Sequence, residues 1–334
     1  MQYRILGKTG LKVSAVGFGG IPIQRIDARG TRALMERLVE KGVNYIDTAR
    51  GYTVSESYLG EALSGGLREK FILATKSMSR GYADMARDIG ISLSNLRTDY
   101  IDLYQLHNIK SDADFELAFS AEGAVAAIQD AIRAGKVGHL GATAHSVDSF
   151  ERLLSYPEIE TIMFPYNIVE SQGEALMERA AAQNVGVIAM KPLAGGNITD
   201  GTLAMRYILQ NKACTLAIPG MATLEEIEQN TAAAEQDGPL TPEELAACEA
   251  IRAGLSGNFC RRCGYCAPCT VGIDIPGIFT LENYLKHYDW ARSRYESQTA
   301  RAGDCIGCGK CEERCPYELP IREKLKGVAK AFGA

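Results

Sequence analysis

Thr31-Arg-Ala-Leu34-Met-Glu-Arg-Leu38-Val39-Glu-Lys41-Gly42-Val-Asn-Tyr45-Ile-Asp47-Thr48 contains the unit from which most of this chain is built. The first part has helical spacing, with Leu34, Leu38 and Val39 on one face and Glu36, Arg37 and Glu40 on the other. Lys41-Gly42 supplies a stop, because glycine readily takes the left-handed backbone that ends many helices. Tyr45–Thr48 is then a short, largely apolar run, the pattern of a strand buried on both faces.

The same alternation recurs. Further strand candidates are Ala15–Gly19, Phe71–Thr75, Ile101–Leu106, Val137–Ala142, Thr161–Phe164, Val185–Ala189 and Thr215–Ile218, making eight with Tyr45–Thr48. Ala121–Ala134 and Thr223–Glu235 repeat the amphipathic pattern between them. Eight β–α repeats predict an α/β fold with a parallel sheet, and eight strands close a (β/α)8 TIM barrel. A doubly wound open sheet is the alternative; it needs a glycine-rich fingerprint after the first strand, and Gly17-Phe-Gly19-Gly20 matches only in part. Tyr3–Val13 reads as a preceding hairpin with Gly7 and Gly10 in its turn. Pro239-Leu-Thr-Pro-Glu-Glu starts another helix, with Thr241 as cap and Pro242 in its first turn. Ser256-Gly-Asn258 reads as a hinge, dividing a barrel over residues 1–255 from a second domain over 256–334.

Eight of the ten cysteines fall in that second domain, as Cys260-Arg-Arg-Cys263-Gly-Tyr-Cys266-Ala-Pro-Cys269 and Cys305-Ile-Gly-Cys308-Gly-Lys-Cys311-Glu-Glu-Arg-Cys315-Pro316. The second run has the C-x2-C-x2-C-x3-C-P spacing of bacterial [4Fe–4S] ferredoxins, in which the fourth cysteine ligates the other cluster. The first run has a shorter last spacer and Thr270 in place of proline, yet Cys269-Thr-Val-Gly-Ile-Asp-Ile-Pro276 and Cys315-Pro-Tyr-Glu-Leu-Pro-Ile321 read as two versions of one exit. Crossed ligation is therefore expected: Cys260, Cys263, Cys266 and Cys315 on one cluster, and Cys305, Cys308, Cys311 and Cys269 on the other. A single cluster, or zinc, which also takes C-x2-C pairs, is the alternative. The 35 residues between the runs favour a mainly helical ferredoxin-like domain, with Ile278–Ala302 helical and Trp290 in its core. Cys214 and Cys248 read as small buried residues.

The net charge of −5 gives no sign of nucleic-acid affinity, although residues 257–334 carry +3 and the remainder −8. No apolar run reaches membrane-spanning length and the start is no export signal, so a cytoplasmic protein with reduced thiols is expected.

In a (β/α)8 barrel, chemistry sits at the C-terminal ends of the strands. There the chain has Asp47 and Tyr52 after the second strand, Lys76 after the third and His107 after the fourth. A tyrosine beside a lysine is an acid–base device, because a close ammonium favours the phenolate. An aspartate holds the lysine, and a histidine can orient a carbonyl oxygen. Such a set protonates a carbonyl oxygen as hydride reaches its carbon.

On these residues the chain resembles the aldo-keto reductases. Asp47-x4-Tyr52, Lys76 and His107 are similar to the family's tetrad. Tyr3-Arg-x-Leu-Gly-x-Thr-Gly-Leu-x-Val-Ser14, Pro165-Tyr-Asn167, Pro192-Leu-Ala-Gly195 and Ile218-Pro-Gly220 with Asn230 match as well. The whole chain is similar to the family's iron–sulfur branch. The resemblance implies NADPH or NADH laid across the rim and hydride transfer to a small aldehyde or ketone. By it Tyr52 is the acid, Lys76 tunes it, Asp47 supports Lys76 and His107 orients the substrate. It places the cofactor near Gly19, Gly20 and Asp47, near His145 and Asn167, near Met190, Pro192 and Leu193, and near Gly220, Glu226 and Asn230. The loop Asn108–Phe115 is expected to help line the pocket.

Three positions depart from the family. Met163 stands where a glutamine usually holds the carboxamide, leaving that contact to Asn167 or His145. Met190, followed by Lys191, stands where an aromatic often stacks on the nicotinamide. Glu226 and Gly220 stand where many members grip the 2′-phosphate with basic residues, so a weakened preference for NADPH is expected, with NADH use open alongside it. Hydride carries two electrons and a cluster passes one, and no flavin fingerprint is present to join them. The clusters then brace the tail or sense oxidant, or carry electrons from a partner such as a ferredoxin. Alternatively the barrel is catalytically idle and the protein is an electron-transfer or redox-sensing one.

Overall fold

A computed structural model describes residues 1–334 except Asp237, Ser256, Cys263 and Ala334. The expected hairpin is present as β1 (Tyr3–Ile5) and antiparallel β2 (Lys12–Ser14). Eight parallel strands follow: β3 (Phe18–Gly19), β4 (Tyr45–Asp47), β5 (Ile72–Ser77), β6 (Ile101–Leu106), β7 (Val137–Thr143), β8 (Thr161–Pro165), β9 (Gly186–Met190) and β10 (Leu216–Ala217). Each pairs with the next in sequence. The sheet curls until β10 meets β3. Across that seam Gly17 N donates to Ala217 O at 2.8 Å, and Ala217 N donates to Ala15 O at 3.0 Å. The closed barrel disposes of the doubly wound alternative. Of the expected strand Ala15–Gly19, only Phe18–Gly19 pairs with β4, while Val16 bridges Ala217 across the seam.

Inward positions alternate along each strand, as the pleat demands. Tyr45, Ala74, Leu103, Met163, Ile188, Met190, Leu216 and Ile218 fill the interior. Leu6 and Val13 of the hairpin pack beneath them and are fully buried. Around the strands, the helix Ala28–Glu40 is capped by Asp27, whose side chain accepts from Gly30 N at 2.7 Å. Its buried face is Thr31, Leu34, Met35 and Leu38; Leu34 and Leu38 were expected there, while Val39 lies at the edge of that face and is only half-buried. Thr223 caps Leu224–Ala232, and Thr241 caps Pro242–Leu255 through Glu244 N at 3.2 Å.

The helices Ser55–Ala62 and Tyr82–Asn95 approach closely at Gly60, where a Cβ would come within 2.1 Å of Asn95 O. Gly60→Ala is expected to destabilise the barrel by roughly 1–3 kcal/mol through overpacking, despite alanine's better helix propensity. A thermal midpoint equal to the parent's would contradict this.

The chain divides into two compact units, Met1–Cys248 and Glu249–Ala334, with the division inside the helix Pro242–Leu255. The expected hinge begins at Ser256, outside the described residues. The second unit is helical: Ile275–Leu285, Trp290–Glu296, Lys310–Glu313 and Ile321–Phe332. The stretch expected to be helical, Ile278–Ala302, holds most of Ile275–Leu285 and all of Trp290–Glu296. Ile278, Phe279, Tyr295, Leu325, Val328 and Phe332 form its core, with the Tyr295 and Phe332 rings stacked at 3.9 Å. Trp290 is not in that core; it is half-buried and stacks on Tyr288 at 5.3 Å. Cys214 and Cys248 are buried thiols, and burial pushes Cys214 up to about 12. Among the described residues no helix is long and apolar enough to cross a membrane.

Candidate functional site

β4, β5 and β6 are neighbours, and their register sets Lys76 beside Gln105 and Asp47 beside Ala74. Three polar side chains thus point into the top of the barrel, each at most 2% exposed: Asp47, Lys76 and Gln105. Lys76 Nζ is ion-paired with Asp47 Oδ2 and donates to Thr48 O at 2.9 Å. Gln105 Nε2 donates to the other oxygen, Asp47 Oδ1, at 3.2 Å. Burial pushes the Asp47 carboxyl above the usual carboxylate range, while the Lys76 ammonium and the Gln105 amide pull it back.

Tyr52 stands over this pair, with the Lys76 ammonium 4.9 Å from its ring centroid. His107 meets the Tyr52 ring edge-on, at 5.9 Å and 88°. All four residues of the expected tetrad therefore converge from three adjacent strand ends.

Two anchors hold the loops that carry them, and neither is visible as a motif. Glu56, 1% exposed, accepts from Arg50 Nη1 at 2.7 Å and from Thr75 Oγ1 and Ser92 Oγ at 2.8 Å each, pinning the turn that carries Tyr52. Arg80 Nη2 donates to His107 O at 2.8 Å and Asn108 O at 3.1 Å, with Asp114 beside its Nε. Asn108, in the left-handed region at φ 53°, places its Oδ1 3.0 Å from His145 Nδ1. Gln105 is the third residue sequence reading passed over. Its only signal was a polar residue amid the apolar run of β6.

The residues expected around a nicotinamide cofactor lie along the same rim but have protein contacts of their own. Gly20 N donates to Asp47 O at 2.8 Å, and a Cβ there would sit 2.8 Å from that oxygen. Gly19 N donates to Pro219 O at 2.8 Å, and Gly19 and Gly220 bridge each other across the seam. Met190 and Met163 are buried in the interior cluster. Lys191, at φ 55°, opens the loop through Pro192 and Leu193. Asn167 uses its whole amide internally: Nδ2 donates to Glu170 Oε2 at 2.8 Å and Lys191 O at 2.9 Å, and Oδ1 accepts from Val169 N and Glu170 N. Glu226 Oε2 accepts from Ala222 N at 2.6 Å and Thr223 N at 3.1 Å, capping Leu224–Ala232. Asn230 is buried one turn on, and its Oδ1 has no hydrogen-bond partner among the described residues.

In the second unit a cavity is bordered by Cys269, Cys305, Cys308 and Cys311, with Thr270, Lys310, Arg314 and Arg322. It therefore gathers three thiols of one run and the last thiol of the other. Cys315 is not among its described lining; it is half-buried against the same core, as is Cys260, and Cys266 is buried. Cys263 lies outside the described residues. Gly307 and Gly309, at φ 71° and 80°, let the backbone wrap between Cys305, Cys308 and Cys311. Arg314 ties the runs together, donating from Nη1 to Ala267 O at 2.8 Å and from Nη2 to Pro268 O at 2.9 Å.

Comparison with known proteins finds a family match in each unit. The sequence profile of the aldo/keto reductase family matches residues 15–202, and that of a 4Fe-4S dicluster domain matches residues 259–320. The chain is 28% identical over 306 residues to the L-galactose dehydrogenase of Arabidopsis thaliana, covering 75% of this chain and 94% of that protein. It is 26% identical over 229 residues to the aldo-keto reductase YhdN of Bacillus subtilis, covering 63% and 67%. Among solved structures it resembles an aldo-keto reductase of Bacillus halodurans in its holo form, with a TM-score of 0.66, 26% identity, and coverage of 75% and 96%.

Proposed function

This chain belongs to the aldo/keto reductase family and carries a 4Fe-4S dicluster domain, and from that premise we propose that it is a nicotinamide-dependent carbonyl reductase with Tyr52 as its general acid. The observation that carries this reading is the Lys76 ammonium held between the buried Asp47 carboxylate and the Tyr52 ring. A bound reduced nicotinamide supplies the hydride. The chain's own residues manage the proton. Tyr52 Oη donates it to the carbonyl oxygen as that oxygen becomes an alkoxide, so an aldehyde or ketone leaves as an alcohol. Lys76 stabilises the phenolate that forms, and Asp47 offsets the burial of Lys76. His107, at the edge of the Tyr52 ring, orients the carbonyl by donating to its oxygen. Loss of reduced-nicotinamide absorbance with a panel of aldehydes and ketones tests this; no turnover with any of them would overturn it.

The cofactor is NADH in this reading. Glu226 already fills the amide-rich start of its helix with a carboxylate. A sugar hydroxyl can donate to that group, whereas a 2′-phosphate would meet a like charge. Asn230 and the Lys191–Leu193 loop would hold the rest of the dinucleotide. Any preference for NADPH is expected to stay well under about a hundredfold in dissociation constant, and Glu226→Lys to strengthen it. A dissociation constant about a hundredfold lower for NADPH, close to 3 kcal/mol of preference, would sink the idea.

The second unit holds two [4Fe–4S] clusters in this reading, one on Cys269, Cys305, Cys308 and Cys311 and the other on Cys260, Cys263, Cys266 and Cys315. The cavity that joins Cys269 to the second run supports the crossed assignment over a sequential one. The clusters exchange single electrons with a protein carrier of ferredoxin type. An anaerobic visible spectrum that bleaches on adding NADH would mean that they also receive electrons from the nicotinamide; an unchanged brown spectrum would leave them to the carrier alone.

A further inference from the structure

We propose that the Thr270 hydroxyl tunes one of the two clusters, by donating a hydrogen bond to the Cys308 thiolate and so raising that cluster's reduction potential. The inference rests on the two-cluster reading above. Its ground is the asymmetry between two otherwise parallel exits. Cys315 is followed by Pro316, which has no donor, and Cys269 is followed by Thr270, which has one. Thr270 Oγ1 lies 3.4 Å from Cys308 Sγ, so the residue that leaves one run reaches a thiol of the other. Both border the cavity shared by Cys269, Cys305 and Cys311.

The direction follows from charge. A thiolate bound to iron carries no proton, so the hydroxyl is the donor. An electron entering a [4Fe–4S] cluster adds one negative charge, and part of that charge spreads onto the cysteine sulfurs. A donor aimed at a sulfur then stabilises the reduced cluster more than the oxidised one, and hydrogen bonds to the sulfurs are a recognised determinant of these potentials. Cations on the same cavity act in the same sense. Lys310 is exposed on its border. Arg314 donates to the carbonyls of Lys310, Ala267 and Pro268, and Arg322 is paired with Glu312 at 2.7 Å. Thr270 is the member of this set that touches a ligand sulfur without carrying a charge, so its removal leaves the net charge unchanged.

The test is an anaerobic dithionite titration of the full chain, with each cluster's reduced signal followed by electron paramagnetic resonance. In Thr270→Val, one of the two transitions is expected at lower potential and the other where the parent has it. Thr270→Ser, which keeps the hydroxyl, should restore the first. A Val variant with both transitions unmoved overturns the proposal, as does a Ser variant that falls with it. Iron and sulfide are assayed in parallel, and Thr270→Ala gives the same readout should the Val variant load poorly. A parent protein without iron and sulfide would overturn the two-cluster reading itself, which is a different result from a loaded parent with an indifferent Thr270.

Discussion

Tyr52→Phe is expected to lower carbonyl reduction by roughly 10²–10⁴-fold while leaving nicotinamide binding intact. The substitution removes one hydroxyl and keeps the ring that Lys76 and His107 pack against. It therefore isolates proton donation from architecture. Lys76→Met would be a poorer probe, because it strands the buried Asp47 carboxylate, and losing one partner of a buried pair costs about 3–5 kcal/mol. Steady-state rates with the best carbonyl substrate, together with the dissociation constant for NADH, decide the matter. A Phe variant as fast as the parent would mean that the barrel chemistry is not what this protein does. That result would favour the reading in which the barrel is idle and the clusters carry the function. Met163 and the internally committed Asn167 are the features that lend that second reading its weight, since neither supplies the expected carboxamide contact.

The barrel was legible in the sequence because it is periodic, and the tetrad because its members follow strand ends in a spacing similar to that of the aldo-keto reductases. Each strand is a short apolar run ended by glycine or charge, and a polar residue at its C-terminal end falls on the rim by topology alone. Ile101–Leu106 was located residue for residue, and His107 came with it. Gln105 was not found, because it lies inside an apolar run and its role depends on Asp47, fifty-eight positions away. Glu56 and Arg80 escaped for the same reason. Each serves by long-range hydrogen bonds that no local pattern records. On the first helix Leu34 and Leu38 were read correctly, but Met35 and not Val39 completes the buried face, because the two are alike in hydrophobicity and only packing decides which is turned inward. Trp290 is half-buried and not core, because its neighbours Tyr284 and Tyr288 gather it into an aromatic group of their own.

Cys269→Ala is expected to remove the same cluster as Cys308→Ala, and not the one removed by Cys260→Ala. Each of the three variants should lose about half of the iron, since each strips one of two clusters. Iron content alone thus cannot tell the arrangements apart, and the signal that survives is what decides. Under crossed ligation the paramagnetic spectra of reduced Cys269→Ala and Cys308→Ala coincide. Under sequential ligation Cys269→Ala coincides with Cys260→Ala instead. The physical case for crossing lies in the chain path. The C-x2-C-x2-C loop from Cys305 to Cys311 wraps one side of the cavity, and the helix Lys310–Glu313 then carries the chain away before Cys315. Arg314, gripping Ala267 O and Pro268 O, brings the end of the first run to the vacated corner. Cys266 and Cys311 belong to the same apolar core as Ile278, Leu325 and Phe332, so cluster insertion and helix packing stabilise one another. Crossing then has a structural consequence: each cluster staples both cysteine runs, and losing either should loosen the whole unit, seen as a lower thermal midpoint in all three variants. A sequential arrangement would let one run unravel while the other kept its cluster and its stability.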